Sequence, residues 1–470
     1  MIARLAGALA AAALLMPATA GAMTPRIVGG TPSSAQELPF VAGLDIAIQN
    51  TGGDEPDALC GGSLIAARWV LTAAHCLVEE PVDLAHSYAV LGATDLDAST
   101  PDQHYPFVEG FVPSEYANGT GGFDVGLVRL ARPAPQPQLR LLRARDTALF
   151  VPGTTALTAG WGYTEDPQDG GQLSTGQLRK VDLQIYSDEQ CTQAFADAGE
   201  QGLDFNTEIC ALAPNKDSCN GDSGGPLFVD DGTGLPALVG AVSFGIGSGN
   251  ILRGTRSCNE GPPGVYSKVA ADPLNAFVRE HVPQVEIDPD VQTPVPGEKV
   301  TFTATPRDPD GTGPFGGYDG LTWDLDADGV FGERSGKRKV AVTIPGGTTT
   351  ISVQATAAAG DAEIRRIRVT TQAKSAVSFA TGKAKVRAGH GISLRVRRVG
   401  TGAGKVTARV SGHGVRPRHH TLAFSGNEAS RSLRLHAGRH ASRRVTVTLQ
   451  AFSGDVVAGA RTKLKLRVKR

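Results

Sequence analysis

Hydrophobic positions change their spacing three times along the 470 residues. A solid apolar, alanine-rich run from Leu5 to Met16 comes first. From Ile27 onward the apolar residues gather in short blocks such as Trp69-Val70-Leu71 and Val125-Gly126-Leu127-Val128, bounded by turn residues, as expected of buried strands. Leu274, Phe277 and Val278 then fall on one helical face. Asp272-Pro273 before them reads as a cap with proline at the first helical position, and Pro283 as the stop. Beyond Val285 the period drops to two. Lys299–Ala304, Val340–Ile344 and Thr350–Ala355 alternate Val, Thr and Ile in the manner of half-buried strands. Ile392–Arg397 and Thr462–Val468 alternate aliphatics with Lys and Arg. The pattern predicts an all-β protein with one short helix and room for about three domains at roughly 150 residues each.

The start of the chain reads as an export signal. Arg4 precedes the apolar run, and Ala18-Thr19-Ala20 or Ala20-Gly21-Ala22 offers a small-residue cleavage site. That run is too short to span a bilayer, and no later stretch qualifies, so we expect a secreted, extracellular protein with residues 1–22 as signal.

Total charge is near balance at −1, which conceals an asymmetry. From Lys374 onward there are 22 Lys and Arg against two acids, Glu428 and Asp455, a net of +20; the rest of the chain carries −21. A cationic strand face on an exported protein points to an anionic surface, polysaccharide or acidic protein rather than to nucleic acid. A merely solvated face is the alternative. Six of the ten histidines, His419 and His420 among them, fall in this segment without ligand spacing, so they read as surface residues.

Candidate chemistry concentrates at Gly221-Asp222-Ser223-Gly224-Gly225-Pro226. A serine that attacks an amide needs a base for its proton and fixed N–H donors for the oxyanion. Gly221 and Ser223 are placed to supply those donors, and the flanking glycines allow crowded backbone. A glycine-rich surface turn would look the same in isolation. His75 in Thr72-Ala73-Ala74-His75-Cys76 is the available base, following the apolar block that ends at Leu71. Asp124 enters an otherwise apolar strand, where a carboxylate is costly unless paired; an imidazole N–H would pair it and fix the tautomer. Singly, His75 reads as a core histidine and Asp124 as a strand-edge turn residue. Together they form a Ser-His-Asp set.

These motifs resemble a trypsin-family (chymotrypsin-fold) serine protease over residues 27 to about 284. Ile27-Val28-Gly29-Gly30, Cys60-Gly61-Gly62-Ser63-Leu64, Gly160-Trp161-Gly162 and the serine and histidine motifs carry the likeness. The resemblance implies two antiparallel six-stranded β-barrels with the active site between them, His75 and Asp124 from the first and Ser223 from the second. It implies a zymogen, residues 23–26 being a short propeptide: cleavage at Arg26-Ile27 would free the Ile27 ammonium to pair with Asp222. It also implies a primary pocket floored by Asp217 and walled by Ser218, Ser243, Phe244, Gly245 and Gly264, hence cleavage of polypeptides after Arg or Lys. Of the 15 pairings open to six cysteines, it selects Cys60 with Cys76, Cys191 with Cys210, and Cys219 with Cys258. Disulfides imply an oxidising compartment. Neither a metal nor a cofactor is expected.

The sequence departs from the family at Phe244, where tryptophan is usual, and at Ile246–Ser257, a longer loop beside the pocket. Residues 285–372 look like a PKD-type immunoglobulin-like sandwich, on the strength of Trp323-Asp324-Leu325-Asp326-Ala327-Asp328-Gly329. Asp324, Asp326 and Asp328 also resemble a calcium loop. The twelfth position is Ser335 where an EF-hand needs glutamate, so a hairpin-ordering turn is the better account. Residues 373–470 are expected to form a basic β-sandwich. Against an active enzyme stands a catalytically silent homologue acting as an adhesive surface protein; every triad and glycine position is filled, which favours activity.

Overall fold

In the computed structural model the described residues are 27, 29–49, 58–78, 81–117, 122–162, 176–232, 234–245, 263–358, 361–371, 375–400, 403–425, 428–454, 456–459 and 461–470. Short apolar blocks bury themselves by pairing across a sheet and then closing it, which leaves no unpaired edge. The first closure is an antiparallel barrel of Val41–Ile46, Ala58–Ala66, Trp69–Thr72, Gly126–Leu130, His104–Phe111 and Tyr88–Leu91, in that order of neighbours. Trp69–Thr72 is buried at all four positions, because it is enclosed by the barrel on one side and by neighbouring chain on the other.

A second six-membered ring runs through Thr155–Gly160, Arg179–Ile185, Glu208–Leu212, Gly264–Ser267, Pro236–Phe244 and Pro226–Asp230, and closes where Leu227 and Phe228 meet Thr158 and Leu157. Two antiparallel six-stranded barrels are thus present, as the motifs implied. Helix Asp272–His281 follows, its Leu274 and Val278 buried. The N-cap is Ala271, not Asp272, and it makes no side-chain bond; Asp272 opens the first turn instead. An acidic residue there still complements the helix dipole. No helix among the described residues is long and apolar enough to cross a membrane.

Four more sheets follow. Gln284–Pro289, Lys299–Arg307 and Lys339–Thr343 form one; Arg334–Ser335, Gly320–Asp324, Thr348–Thr356 and Ala362–Thr370 form the next. Both contribute to one core around Phe302 and Trp323, each 0% exposed. Trp323 also donates its indole N–H to the Lys337 carbonyl at 2.7 Å, so its polar edge is satisfied. Asp324 accepts from the backbone N–H groups of Ala327 (2.7 Å) and Gly329 (3.2 Å), which folds the chain back so that Trp323 pairs with Arg334. Glu333, which the alternation gave no reason to single out, brings an oxygen within 4.8 Å of those of Asp324, Asp326 and Asp328.

The last two sheets have five strands each. One is Val415–Arg416, Ser430–Ala437, Gly391–Val399, Ser375–Phe379 and Val456–Ala458; the other is Lys383–Arg387, Lys463–Lys469, Arg444–Gly454, Gly404–Ser411 and His419–Phe424. Strict alternation sends Leu464, Leu466 and Val468 inward and the intervening Lys and Arg outward.

Polar contacts tie strand Ala362–Thr370 and its neighbours to the barrels. Glu363, 7% exposed, takes the Ala67 N–H on both carboxylate oxygens, at 2.9 and 3.1 Å. Arg68 forks onto Asp361, Arg143 reaches Glu286 at 2.8 Å, and Arg368 donates to the Gly234 carbonyl.

Candidate active site

His75 begins the short helix His75–Val78 at the end of strand Trp69–Thr72. Asp124 stands two residues before strand Gly126–Leu130, whose first residue pairs with Thr72. Pairing therefore carries the two side chains to the same end of the barrel. Asp124 Oδ1 takes the His75 backbone N–H at 2.9 Å, and Oδ2 lies 2.8 Å from His75 Nδ1. An imidazole facing a carboxylate with Nδ1 carries its proton there, which makes Nε2 the acceptor of the ring.

Asp124 is 7% exposed. Burial pushes its carboxyl up, but the bond and charge of His75, the Ser243 hydroxyl and the His75 amide together hold it below the usual carboxylate range. Ser243 Oγ donates to Oδ2 at 2.6 Å, and Ser267 Oγ to the Asp124 carbonyl. Both serines come from the second barrel, 119 and 143 residues away, so the aspartate is gripped from both barrels. The family resemblance implies a place in the pocket wall for Ser243 and no role for Ser267. No local pattern could have paired either with Asp124.

Ser223 lies between strands Glu208–Leu212 and Pro226–Asp230, and its carbonyl takes the Gly61 N–H at 2.6 Å. Cys76 Sγ is 3.8 Å from that same oxygen. The Ser223 turn of the second barrel is thereby pressed against the strand and helix that bracket His75. The contact demands glycine: a Cβ on Gly224, whose φ is +79°, would lie 2.1 Å from Thr72 Oγ1. Within the turn, Asp222 N–H donates to Cys219 O (2.9 Å) and Gly224 N–H to Val242 O (2.7 Å). The N–H groups of Gly221 and Ser223 have no acceptor among the described residues.

Asp217 is 4% exposed. It accepts from Ser218 N–H at 2.8 Å, and burial pushes its carboxyl up to about 8 despite that bond. A Cβ on Gly264 would stand 2.7 Å from Asp217 Oδ1, so only glycine fits against that carboxylate without displacing it. Ser218 Oγ is 3.3 Å from the hydroxyl of buried Tyr266. Phe244 is 43% exposed and meets Phe195 edge-on at 6.4 Å. Gly245 follows it at the rim, half-buried.

Asp222 is completely buried and takes the N–H groups of Gly162 and Cys219, both at 2.9 Å. Burial still pushes it up to about 7. Ile27 is 0% exposed in the second-barrel core, with φ at +42°, a strained value for a β-branched residue. Arg26, Cys258 and the Ile246–Ser257 loop lie outside the described residues. Disulfides join Cys60 to Cys76 and Cys191 to Cys210, and Cys219 is also disulfide-bonded. Cys60, His75 and Cys76 bring ligand-type atoms within 4.8 Å, but oxidised sulfur is no thiolate ligand.

Paired barrels that share a histidine–aspartate couple and a Gly-Asp-Ser-Gly turn define the chymotrypsin-type class. The trypsin family model matches residues 27–276, more than half the chain. A trypsin from Saccharopolyspora erythraea is 32% identical over 248 residues, 52% of this chain and 94% of that protein. A trypsin-like protease from Streptomyces glaucescens is 32% identical over 265 residues, covering 56% and 85%. Glucanase inhibitor protein 3 of Phytophthora infestans is 32% identical over 219 residues, covering 46% and 75%. The chain belongs to the trypsin family of serine proteases.

Proposed function

We propose that the protein is a secreted endopeptidase that hydrolyses polypeptides after Arg or Lys, with His75, Asp124 and Ser223 as the catalytic residues. The observation that carries this reading is the pair of unaccepted N–H groups at Gly221 and Ser223 beside the His75–Asp124 couple. The Asp222, Gly224 and Gly225 amides of the same turn are satisfied. Gly221 and Ser223 are half-buried, and two donors held unpaired in one turn suit a developing oxyanion.

The reaction then runs in two halves. Ser223 Oγ bonds to the scissile carbonyl carbon while His75 Nε2 takes the hydroxyl proton. Negative charge gathers on the carbonyl oxygen, held by the N–H groups of Gly221 and Ser223. His75 returns the proton to the leaving nitrogen, and the C–N bond breaks. Water repeats the sequence on the acyl-enzyme, releasing the carboxylic acid and restoring Ser223. Asp124 stays ionised and steadies the imidazolium.

Specificity rests on Asp217. A carboxylate pushed up to about 8 by burial lacks a counter-charge, and a guanidinium or ammonium brings one. A neutral side chain would leave the pocket acid desolvated. Asp222 has the same need at about 7, which supports activation by cleavage at Arg26-Ile27: the released ammonium would be its partner, and the strain at Ile27 would be relieved.

Separate cores support a division into the enzyme (27–284), a PKD-like sandwich (285–372) and a basic sandwich (373–470) that holds the enzyme on an anionic surface. The Glu363 and Arg68 contacts support a fixed seat for the middle unit rather than a loose tether. A silent homologue is the second reading, because one relative is named as an inhibitor protein. A fluorogenic peptide with arginine at the cleavage point separates the two. Hydrolysis that stops on adding an active-site serine reagent supports the peptidase, and no hydrolysis by protein cleaved at Arg26-Ile27 rejects it.

A further inference from the structure

The two terminal sheets carry their cations differently. On the sheet built around Gly391–Val399, exposed Arg395, Arg397 and Arg434 lie across from Ser432, Ser430 and Ser393. Each arginine faces a serine, which avoids repulsion between directly opposed like charges. On the other sheet, Lys383–Arg387 runs parallel to Lys463–Lys469 and sets Lys383 across from Lys465, Lys385 from Arg467, and Arg387 from Lys469. Arg444 adds a further cation opposite Arg467. All seven of these side chains, and Lys463 beside them, are exposed. None has an ion-pair partner among the described residues. Glu428 is spent on Arg431 of the other sheet at 2.8 Å.

Two plain explanations fall short. Lysines on an edge strand guard against unwanted pairing. Lys383–Arg387 is an edge, but Lys463–Lys469 is the second strand in, where no edge needs guarding. A solvated face, for its part, gains nothing by opposing like charges, and the adjacent sheet shows how this same domain avoids it.

We infer that this ladder is the docking site for an extended phosphodiester polymer of the poly(glycerol phosphate) kind. The inference rests on the proposed anionic-surface role of residues 373–470 and says which face and which polyanion. Side chains two apart on a strand stand about 6.6 Å from each other, and neighbouring strands about 4.8 Å. A phosphodiester with six backbone atoms per repeat brings its charges to the first of these spacings when it is slightly short of full extension. A chain lying along the groove between the strands meets a cation on each side at every repeat. In an extended uronan, successive carboxylates point to opposite sides, so only alternate ones could reach the face. Single-stranded nucleic acid has a fitting backbone, but its bases need aromatic platforms. Neither Lys383–Arg387 nor Lys463–Lys469 contains an aromatic residue.

The test uses the full chain and two triple variants of equal charge: Lys383→Gln, Lys385→Gln, Lys465→Gln on the ladder, and Arg395→Gln, Arg397→Gln, Arg434→Gln on the other sheet. Thermal melting first establishes that both fold. Binding to synthetic poly(glycerol phosphate), polygalacturonate and oligo-dT is then measured across a salt series. The ladder triple should lose at least tenfold in affinity for poly(glycerol phosphate), and its log–log salt slope should flatten by about 2, at roughly 0.7 per lost contact. The other triple should stay within about twofold of wild type. Equal losses from both triples would overturn the ladder while leaving an anionic-surface role standing. Equal or tighter binding of polygalacturonate or oligo-dT would overturn the choice of polymer. Wild-type protein that holds none of the three rejects the anionic-surface role itself, and the ladder with it.

Discussion

In the barrels, Asp124, Asp217 and Asp222 are 7, 4 and 0% exposed, whereas on the last sheet Lys383, Lys385, Lys463 and Lys465 all stand in solvent over a mainly aliphatic interior. The first arrangement is expensive: each buried carboxylate forfeits hydration and must be repaid by a hydroxyl, an amide or an imidazole. The second costs little per residue. That contrast fits the roles proposed for the two regions. Charge taken inside a fold makes sense where it is used on a reacting bond or a substrate side chain, and charge left outside makes sense where the partner is large and itself charged. Stapling follows the same division, for the disulfides lie in the barrels and no cysteine follows position 258.

Breaking the inner charges should have the largest effects. In protein cleaved at Arg26-Ile27, Ser223→Ala should lower kcat for an arginyl peptide by about 10^4-fold or more while the melting temperature holds. Asp217→Ser should cost about 10^2- to 10^3-fold in kcat/KM on arginyl peptides, as expected for removing one partner of a desolvated charge pair. An unaltered preference for basic over aromatic peptides would reject the pocket assignment. Ser243→Ala removes one donor from Asp124 and should lower kcat about tenfold, in line with a hydrogen bond to a charged group. Because that donor helps keep Asp124 ionised, the acid limb of the pH–rate profile should move up, which a purely spatial role for Ser243 would not cause.

The smallest effect is on stability. Asp217, Asp222 and Glu363 are pushed up to about 8, 7 and 8, so the folded chain holds their protons after the unfolded chain has lost them near pH 4. Stability from these groups is therefore present at low pH and lost as pH rises from about 4 towards 8. Calorimetry of uncleaved Ser223→Ala protein should show the melting temperature falling steadily over that range. Cleavage at Arg26-Ile27 should remove part of the fall by giving Asp222 a cation, and Glu363→Gln another part. A melting temperature that climbs from pH 5 to 8 would contradict the burial account of these acids.

Much of the fold was legible in the residues. Period-two runs announced the terminal strands: Ile392–Arg397 falls within strand Gly391–Val399, and Thr462–Val468 overlaps strand Lys463–Lys469 from its second residue on. The two barrels came from motif resemblance instead, since buried strands such as Trp69–Thr72 show no alternation that would reveal how they close. What local sequence hides is contact at a distance. Ser243 and Ser267 reach Asp124 across more than a hundred residues, and Glu363 reaches Ala67 across 296. A serine in a strand looks the same whether its hydroxyl meets water or a carboxylate. The helix cap failed for a nearer reason: aspartate before proline fits both the cap and the first turn, and the extended backbone of Ala271 decides for the latter.

The central claim, that Ser223 is the activated nucleophile of a peptidase with an acid-floored pocket, can be tested on one sample. Protein cleaved at Arg26-Ile27 is treated with a phosphonate ester carrying a guanidinium side chain, and the modified residue is located by peptide mass spectrometry. The account predicts stoichiometric label on Ser223 alone, blocked by excess arginyl peptide and absent from His75→Ala. Label on another serine, or none on folded and cleaved protein, would contradict it.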